Sequence, residues 1–297
     1  MSATPDLYPS RNGSQGGVLP RQDPVIADPH APGPLTPPQL LRYQQDGYLQ
    51  CQGMFTPEEV ALVQGAVAGL CAAEHVLAKP ETILEPSGKA VRSIFAAHAF
   101  EPQLARLVRD PRLLGVARQI LGSEVYIHQC RINYKPAFRG KEFYWHSDFE
   151  TWHVEDGLPR MRALTVAINL TENSEFNGPL MVIPGSHRQY VSCAGETPEN
   201  HVRDSLRRQQ YGTPEHAQIS ALVHESGIAA PKGPAGSLVI FDCNLMHGSG
   251  ANITPHARCN LFVVYNSMQN VPQQPYSGQP PRPDYIASRQ PEPLLST

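Results

Sequence analysis

The sequence has no run of clustered lysine or arginine, and no apolar stretch of the ~18 residues that a membrane span requires. Lys and Arg total 24 against 27 Asp and Glu, a formal net charge of −3. A nucleic-acid footprint needs concentrated positive charge, so a nucleic-acid partner is not expected. The N-terminal stretch holds no apolar core of a secretory signal. A cytoplasmic protein with no membrane attachment is therefore the expectation. The six cysteines include no C-x-x-C pair, which removes the spacing of a zinc–cysteine site. Free, reduced thiols are expected. No internal repeat is visible.

Charged residues are scarce at 17%, and hydrophobic residues make up only 40%. Proline occupies the room, with 30 of 297 residues, about twice the usual share. Nine of the prolines fall in residues 1–38 and seven in residues 272–297. Residues 1–35 and 272–297 thus read as proline-rich, extended or disordered arms. The ordered body, residues 36–271, has the length of a single domain.

Within the body, helical signals come first. Thr36 followed by Pro37 reads as an N-cap with proline at the first helical position, for a helix through Tyr43 that ends near Gly47. Thr56 and Glu59 have capping-box spacing, and Val60, Val63, Val67 and Leu70 follow with helical period. A third helical stretch spans residues 102–121, interrupted at Pro111 and stopped by Gly122. Beyond it, residues 125–134, 143–149, 163–170, 180–183, 237–241 and 259–265 are short and β-rich, separated by Gly, Pro and Asn. Helices followed by many strands predict a mainly β sandwich or barrel with a helical cover. Residues 188–235 are polar and read as a long insertion between strands, of the kind that forms lids or binding loops.

The chemistry centres on residues 143–150, where His146 and Asp148 stand two apart. On a strand, positions i and i+2 share a face, so imidazole and carboxylate would converge. A second imidazole arrives much later at His247. Two histidines and one carboxylate make the facial triad of non-haem Fe(II) oxygenases. Its three open positions suit a chelating co-substrate and O2. The same residues also fit a surface histidine beside a solvated aspartate, and spacing does not separate the two. Arg258, eleven residues after His247, adds a guanidinium able to fork onto the far carboxylate of 2-oxoglutarate.

The stretch before the motif alternates. Gln129, Arg131, Asn133 and Lys135 fall on one strand face together with Val125 and Ile127, opposite a mostly apolar face. A solvated edge strand would look the same. As the wall of a barrel mouth, Lys135 would meet an anionic co-substrate, and Gln129 and Arg131 a polar substrate. Trp152, one of two tryptophans, follows the motif closely. It fits a core position or a ring stacked on a cationic or planar ligand. Trp145 is expected on the opposite, packed side.

The segment Asn177-Gly178-Pro179-Leu180 through Pro184-Gly185-Ser186-His187, taken with His146, Asp148, His247 and Arg258, resembles the phytanoyl-CoA dioxygenase superfamily. Residues 143–162, a long contiguous match, resemble the signature of ectoine hydroxylases. The resemblance implies a double-stranded β-helix (cupin-type jelly roll), cytoplasmic and homodimeric, using Fe(II), 2-oxoglutarate and O2. The implied reaction converts ectoine, a small cyclic compatible solute, to 5-hydroxyectoine. By the same resemblance His146, Asp148 and His247 ligate iron, and Lys135 and Arg258 hold 2-oxoglutarate with Asn133 and Ser249 beside them. Gln129 and Trp152 contact ectoine, with Arg131 nearby. Three alternatives remain open at this point: another hydroxylase of the superfamily acting on an amino-acid-like or natural-product substrate, a catalytically silent cupin-type binder, and a zinc hydrolase on the same ligands.

Overall fold

The computed structural model describes residues 6–13, 15–85, 90–199, 201–207 and 211–296. In chain order the elements are β1 (Val18–Pro20), α1 (Pro37–Asp46), β2 (Tyr48–Cys51), α2 (Pro57–Ala72), α3 (Glu74–Leu77), β3 (Thr82–Leu84) and β4 (Val91–Phe95). Next come α4 (Pro102–Leu107), α5 (Pro111–Leu121), β5 (Val125–Lys135), β6 (Phe143–His146) and α6 (Asp148–Thr151), the last running into a π-helical turn, Trp152–Asp156. The rest are β7 (Ala163–Asn169), β8 (Leu180–Val182), β9 (Gln189–Val191), α7 (Val202–Arg207), α8 (His216–Ser226), β10 (Leu238–Asp242), β11 (His247–Ser249) and β12 (Arg258–Ser267).

The expected helices form where their caps stand. Thr56 Oγ1 accepts from the Glu59 amide and Glu59 Oε2 accepts from the Thr56 amide, closing the capping box of α2. Gly47 ends α1 in the left-handed region at φ 78°. Pro111 opens α5 at N1 behind Asp110 and so divides the 102–121 stretch in two. These helices lie on one face of a seven-stranded antiparallel sheet, ordered β2-β10-β7-β12-β5-β4-β3. Val63, Leu114 and Ile120 from the helices meet Ile132, Val166 and Leu261 from the sheet in the main core. The opposite face of that sheet looks onto a small sheet, β6-β11-β8. Ala167, Val239, Phe241 and Phe262 from the large sheet pack there against Leu180 and Val182 from the small one. Two facing antiparallel sheets with a helical cover make the double-stranded β-helix.

Four expectations need correction. The strand expected over 143–149 stops at His146, and Asp148 begins a helical turn. Along β5 a bulge shifts the register: Val264 pairs with Gln129 but Tyr265 pairs with Ile127. The extra residue turns Ile127 to the helical core while Gln129 faces the other way, so the face does not run unbroken from Val125. The polar 188–235 insertion carries β9 and α8. Finally, the proline-rich arms pack against the body. β1 pairs with β9, and Tyr8, Arg11, Ile286 and Leu294 are buried. All six cysteines are unpaired thiols, as expected from their spacing. Among the described residues no helix is long and apolar enough to cross a membrane.

Candidate metal centre and substrate chamber

The small sheet places the two histidines. His146 ends β6 and His247 begins β11, and the two are direct partners in the antiparallel ladder. Their rings lie 4.3 Å apart. Asp148 reaches the same point from the first turn of α6. Its Oδ1 is 3.8 Å from His146 Nε2 and its Oδ2 is 3.9 Å from His247 Nε2. One ligand atom from each of the three lies within 4.8 Å of the others. The convergence expected from a shared strand face is thus reached by a strand end followed by a helical turn.

The tautomers suit a metal. His146 Nδ1 donates to the Tyr144 carbonyl at 2.7 Å, and His247 Nδ1 to the Leu245 carbonyl at 2.9 Å. Each leaves Nε2 free to ligate. Burial, reinforced by His247, pushes the His146 imidazolium down to about 4, so the neutral form prevails. Two imidazoles with one carboxylate make the donor set of Fe(II) oxygenases.

A second cluster lies on β5 and β12. Arg258 pairs with Lys135 in register, and Asn133 pairs with Asn260. Arg258 is buried. Its Nη1 donates to the Gly178 carbonyl at 2.5 Å and its Nη2 reaches Asn133 Oδ1 at 3.4 Å. Its Nε has no partner, and no carboxylate lies within ion-pair distance among the described residues. Burial, with Arg131 and Arg92 adding to it, pushes its guanidinium down to about 10. Lys135 Nζ donates to the carbonyls of Lys141 (2.6 Å) and Gly250 (2.7 Å). Burial first, then Arg258 and Arg92, pushes the ammonium down to about 6. Arg131 stands among the rings of Phe95, Phe143 and Phe262, pushed down by burial to about 10 against the pull of Asp148. Two buried basic side chains, Arg258 and Lys135, with no acid in ion-pair distance among the described residues, stand beside the His–Asp–His cluster and form a receptor for a small dianion. The free Nε of Arg258 is a donor still waiting for an acceptor.

Gln129 is buried on the same face, its Nε2 donating to the Ile286 carbonyl of the C-terminal arm at 2.8 Å. Ser249 ends β11, paired with Phe143 and Leu180. Trp152 is buried in a cluster with Phe149, Leu158 and Val264, and Val264 is the register partner of Gln129. The edge of the Trp152 indole meets the His128 ring at 5.2 Å. Trp145 packs on the far side against Ile183 and Met246, as expected. The sequence reading missed the contribution of the arms. Arg282 forks onto Asp156 at 2.8 and 2.5 Å, and Arg11 onto Glu150 at 2.9 Å through each of two nitrogens. Isolated arginines within proline-rich segments were the available signal.

The family profile described as Phytanoyl-CoA dioxygenase (PhyH) matches residues 43–260. The chain belongs to the phytanoyl-CoA dioxygenase family. Among curated relatives, the ectoine dioxygenase of Bordetella bronchiseptica is 51% identical over 291 residues, 98% of this chain and 94% of that protein. The ectoine dioxygenase of Sphingopyxis alaskensis is 50% identical, over 96% and 93% of the two chains. The crystal structure of EctD from S. alaskensis with 2-oxoglutarate and 5-hydroxyectoine superimposes with a TM-score of 0.89 at 46% identity, covering 98% of this chain and 97% of that one. The structure of that enzyme with bound Fe matches with a TM-score of 0.89 at 45% identity, covering 99% and 98%.

Proposed function

We propose that this member of the phytanoyl-CoA dioxygenase family hydroxylates ectoine to 5-hydroxyectoine, consuming O2 and 2-oxoglutarate and releasing succinate and CO2. The observation that carries this reading is the near-full-length likeness to the ectoine dioxygenase of S. alaskensis, crystallised with 2-oxoglutarate and 5-hydroxyectoine.

His146, Asp148 and His247 are the residues to hold Fe(II), and their donor set fits it. Bound iron and 2-oxoglutarate supply the activation of O2 and the hydrogen abstraction at ring carbon 5. The chain's own residues bind, orient and exclude water. Arg258 and Lys135 receive the carboxylates of 2-oxoglutarate, with Asn133 and Ser249 bordering them. The unpartnered Arg258 Nε, and the absence among the described residues of any acid in ion-pair distance of Arg258 or Lys135, support this role. Gln129, Trp152 and Arg131 form the ectoine side. Ectoine carries a delocalised amidinium and a carboxylate, so an indole suits the first and a guanidinium the second. No side chain is needed as acid or base at the carbon.

Residues 36–271 are the dioxygenase domain in this reading, and the arms 1–35 and 272–297 cover it. The reading extends to a cytoplasmic homodimer serving the osmotic stress response, supported by the resemblance to ectoine hydroxylases. The deciding assay mixes iron-loaded protein, 2-oxoglutarate and ectoine, admits O2, and reads products by mass spectrometry. One added oxygen on ectoine per succinate is expected. Succinate without oxygenated ectoine would keep the oxygenase and discard the substrate.

A further inference from the structure

The segment 148–157 carries two functional side chains with different supports. Asp148, at its start, is fixed from the β10–β11 turn: Ser147 Oγ donates to Asn244 Oδ1 at 3.0 Å, and the Phe149 amide donates to the Cys243 carbonyl at 2.8 Å. Trp152 opens the π-helical turn farther on. A π turn holds an extra residue and is a costly local winding, found mostly where function demands it. Both arms brace this turn: Arg282 of the C-terminal arm forks onto Asp156 at its end, and the N-terminal arm holds the two carboxylates on either side of Trp152.

Arg11 spans that turn from behind. Its Nε and Nη2 fork onto Glu150, two residues before Trp152, while its Nη1 donates to Glu155, three residues after it, at 2.6 Å. Ser10 Oγ adds a bond to Glu150 Oε1 at 2.6 Å. The other charged groups around this pair are His201, 3.1 Å from Glu155, and Arg282, 3.7 Å from it. Arg11 itself sits at φ 50°, a region that a non-glycine residue keeps only when its contacts demand it. Its amide donates to the Cys193 carbonyl at 3.0 Å, anchoring the arm beyond β9. One guanidinium thus bridges the two carboxylates that bracket Trp152, while Asp148 is held by other means.

We propose that Arg11 is a positioning residue: by clamping Glu150 and Glu155 it sets the Trp152 indole against the substrate, and it governs affinity for ectoine without governing iron or 2-oxoglutarate. This rests on the reading of Trp152 as part of the ectoine side. A lysine offers one point charge where the arginine offers a fork, so Arg11→Lys restores the clamp only in part.

The test compares Arg11→Gln, Arg11→Lys and Trp152→Ala holoenzymes. KM is measured for both substrates, iron content is measured, and anaerobic ectoine binding is measured by calorimetry with 2-oxoglutarate present. Because Arg11→Gln leaves Glu150 buried without its partner, Arg11→Gln/Glu150→Gln provides a second variant with no orphaned charge. The expected result is a rise of about tenfold or more in ectoine KM and Kd, with Arg11→Lys intermediate. The 2-oxoglutarate KM and the iron content stay within about twofold. An ectoine affinity unchanged in both glutamine variants, while Trp152→Ala weakens it, overturns the role of Arg11 and leaves that of Trp152 standing. An unchanged ectoine affinity in Trp152→Ala overturns the substrate role of Trp152 and the proposal with it. Parallel losses of both substrates, or a loss of iron, overturn the proposed division of supports.

Discussion

Arg258→Met separates binding from folding most sharply. At neutral pH the folded chain holds this guanidinium charged in a site that pushes it down to about 10. A group whose proton affinity is lowered on folding weakens the fold wherever it is protonated. The charge therefore costs the fold about 3 kcal/mol at neutral pH. Removing it relieves that cost. Against this stand the lost bond to the Gly178 carbonyl and the contact with Asn133, together about 2–4 kcal/mol when a buried acceptor is left open. The two nearly cancel, so the thermal midpoint without 2-oxoglutarate should move by no more than a few degrees. Binding has no such compensation. A forked, buried guanidinium–carboxylate pair is worth about 3–5 kcal/mol when one partner is removed, which at 1.4 kcal/mol per decade raises the 2-oxoglutarate Kd by roughly 100- to 4,000-fold. Calorimetric titration with 2-oxoglutarate and a thermal melt on the same sample measure both quantities. A 2-oxoglutarate affinity within about threefold of the parent would falsify the assignment of Arg258.

Lys135 should give 2-oxoglutarate binding a pH dependence. Held down to about 6 in the free protein, it must gain a proton to meet a dianion above that pH. KM for 2-oxoglutarate should then rise with pH above about 6, by up to tenfold per unit, and Lys135→Met should flatten the profile. A flat profile in the parent refutes this. Asp148→Ala should abolish hydroxylation and lower iron content measured after dialysis, and full iron retention would argue against its role as ligand. Gly157→Ala should destabilise the protein by several kcal/mol, read as a fall in thermal midpoint. Gly157 lies at φ 81°, and an added Cβ would run into the Gln273 carbonyl.

The cluster of candidate metal ligands was legible in the sequence because ligand chemistry restricts residue types more tightly than geometry does. His146, Asp148 and His247 stand out whether the chain between the first two is a strand or a turn. The geometry was less legible: β6 ends at His146 and Ser147 is the N-cap of α6, but its hydroxyl makes no cap bond and the residues on either side continue a strand-like run. Alternation exposed the polar wall of Gln129, Arg131, Asn133 and Lys135. The bulge at His128 leaves that alternation intact in sequence and reverses it only in space. The arms were the least legible part. They hold few apolar residues, so composition predicts chains unable to bury themselves. They dock instead through single arginines, Arg11 on Glu150, Arg21 on Asp242 and Arg282 on Asp156. The partners of these pairs are far away in sequence.

The pairing of His146 with His247 across β6 and β11 also bears on how the protein assembles. The two imidazoles come from positions roughly a hundred residues apart, and strand pairings of such separation are slow to form. Neither half of the chain carries all three candidate ligands, so the cluster exists only once β6 and β11 have paired. Iron then favours the finished molecule over every earlier one, and loading should raise the melting temperature in proportion to the logarithm of free metal. A metal bound by this cluster would thus stabilise only the form in which β6 and β11 stand side by side.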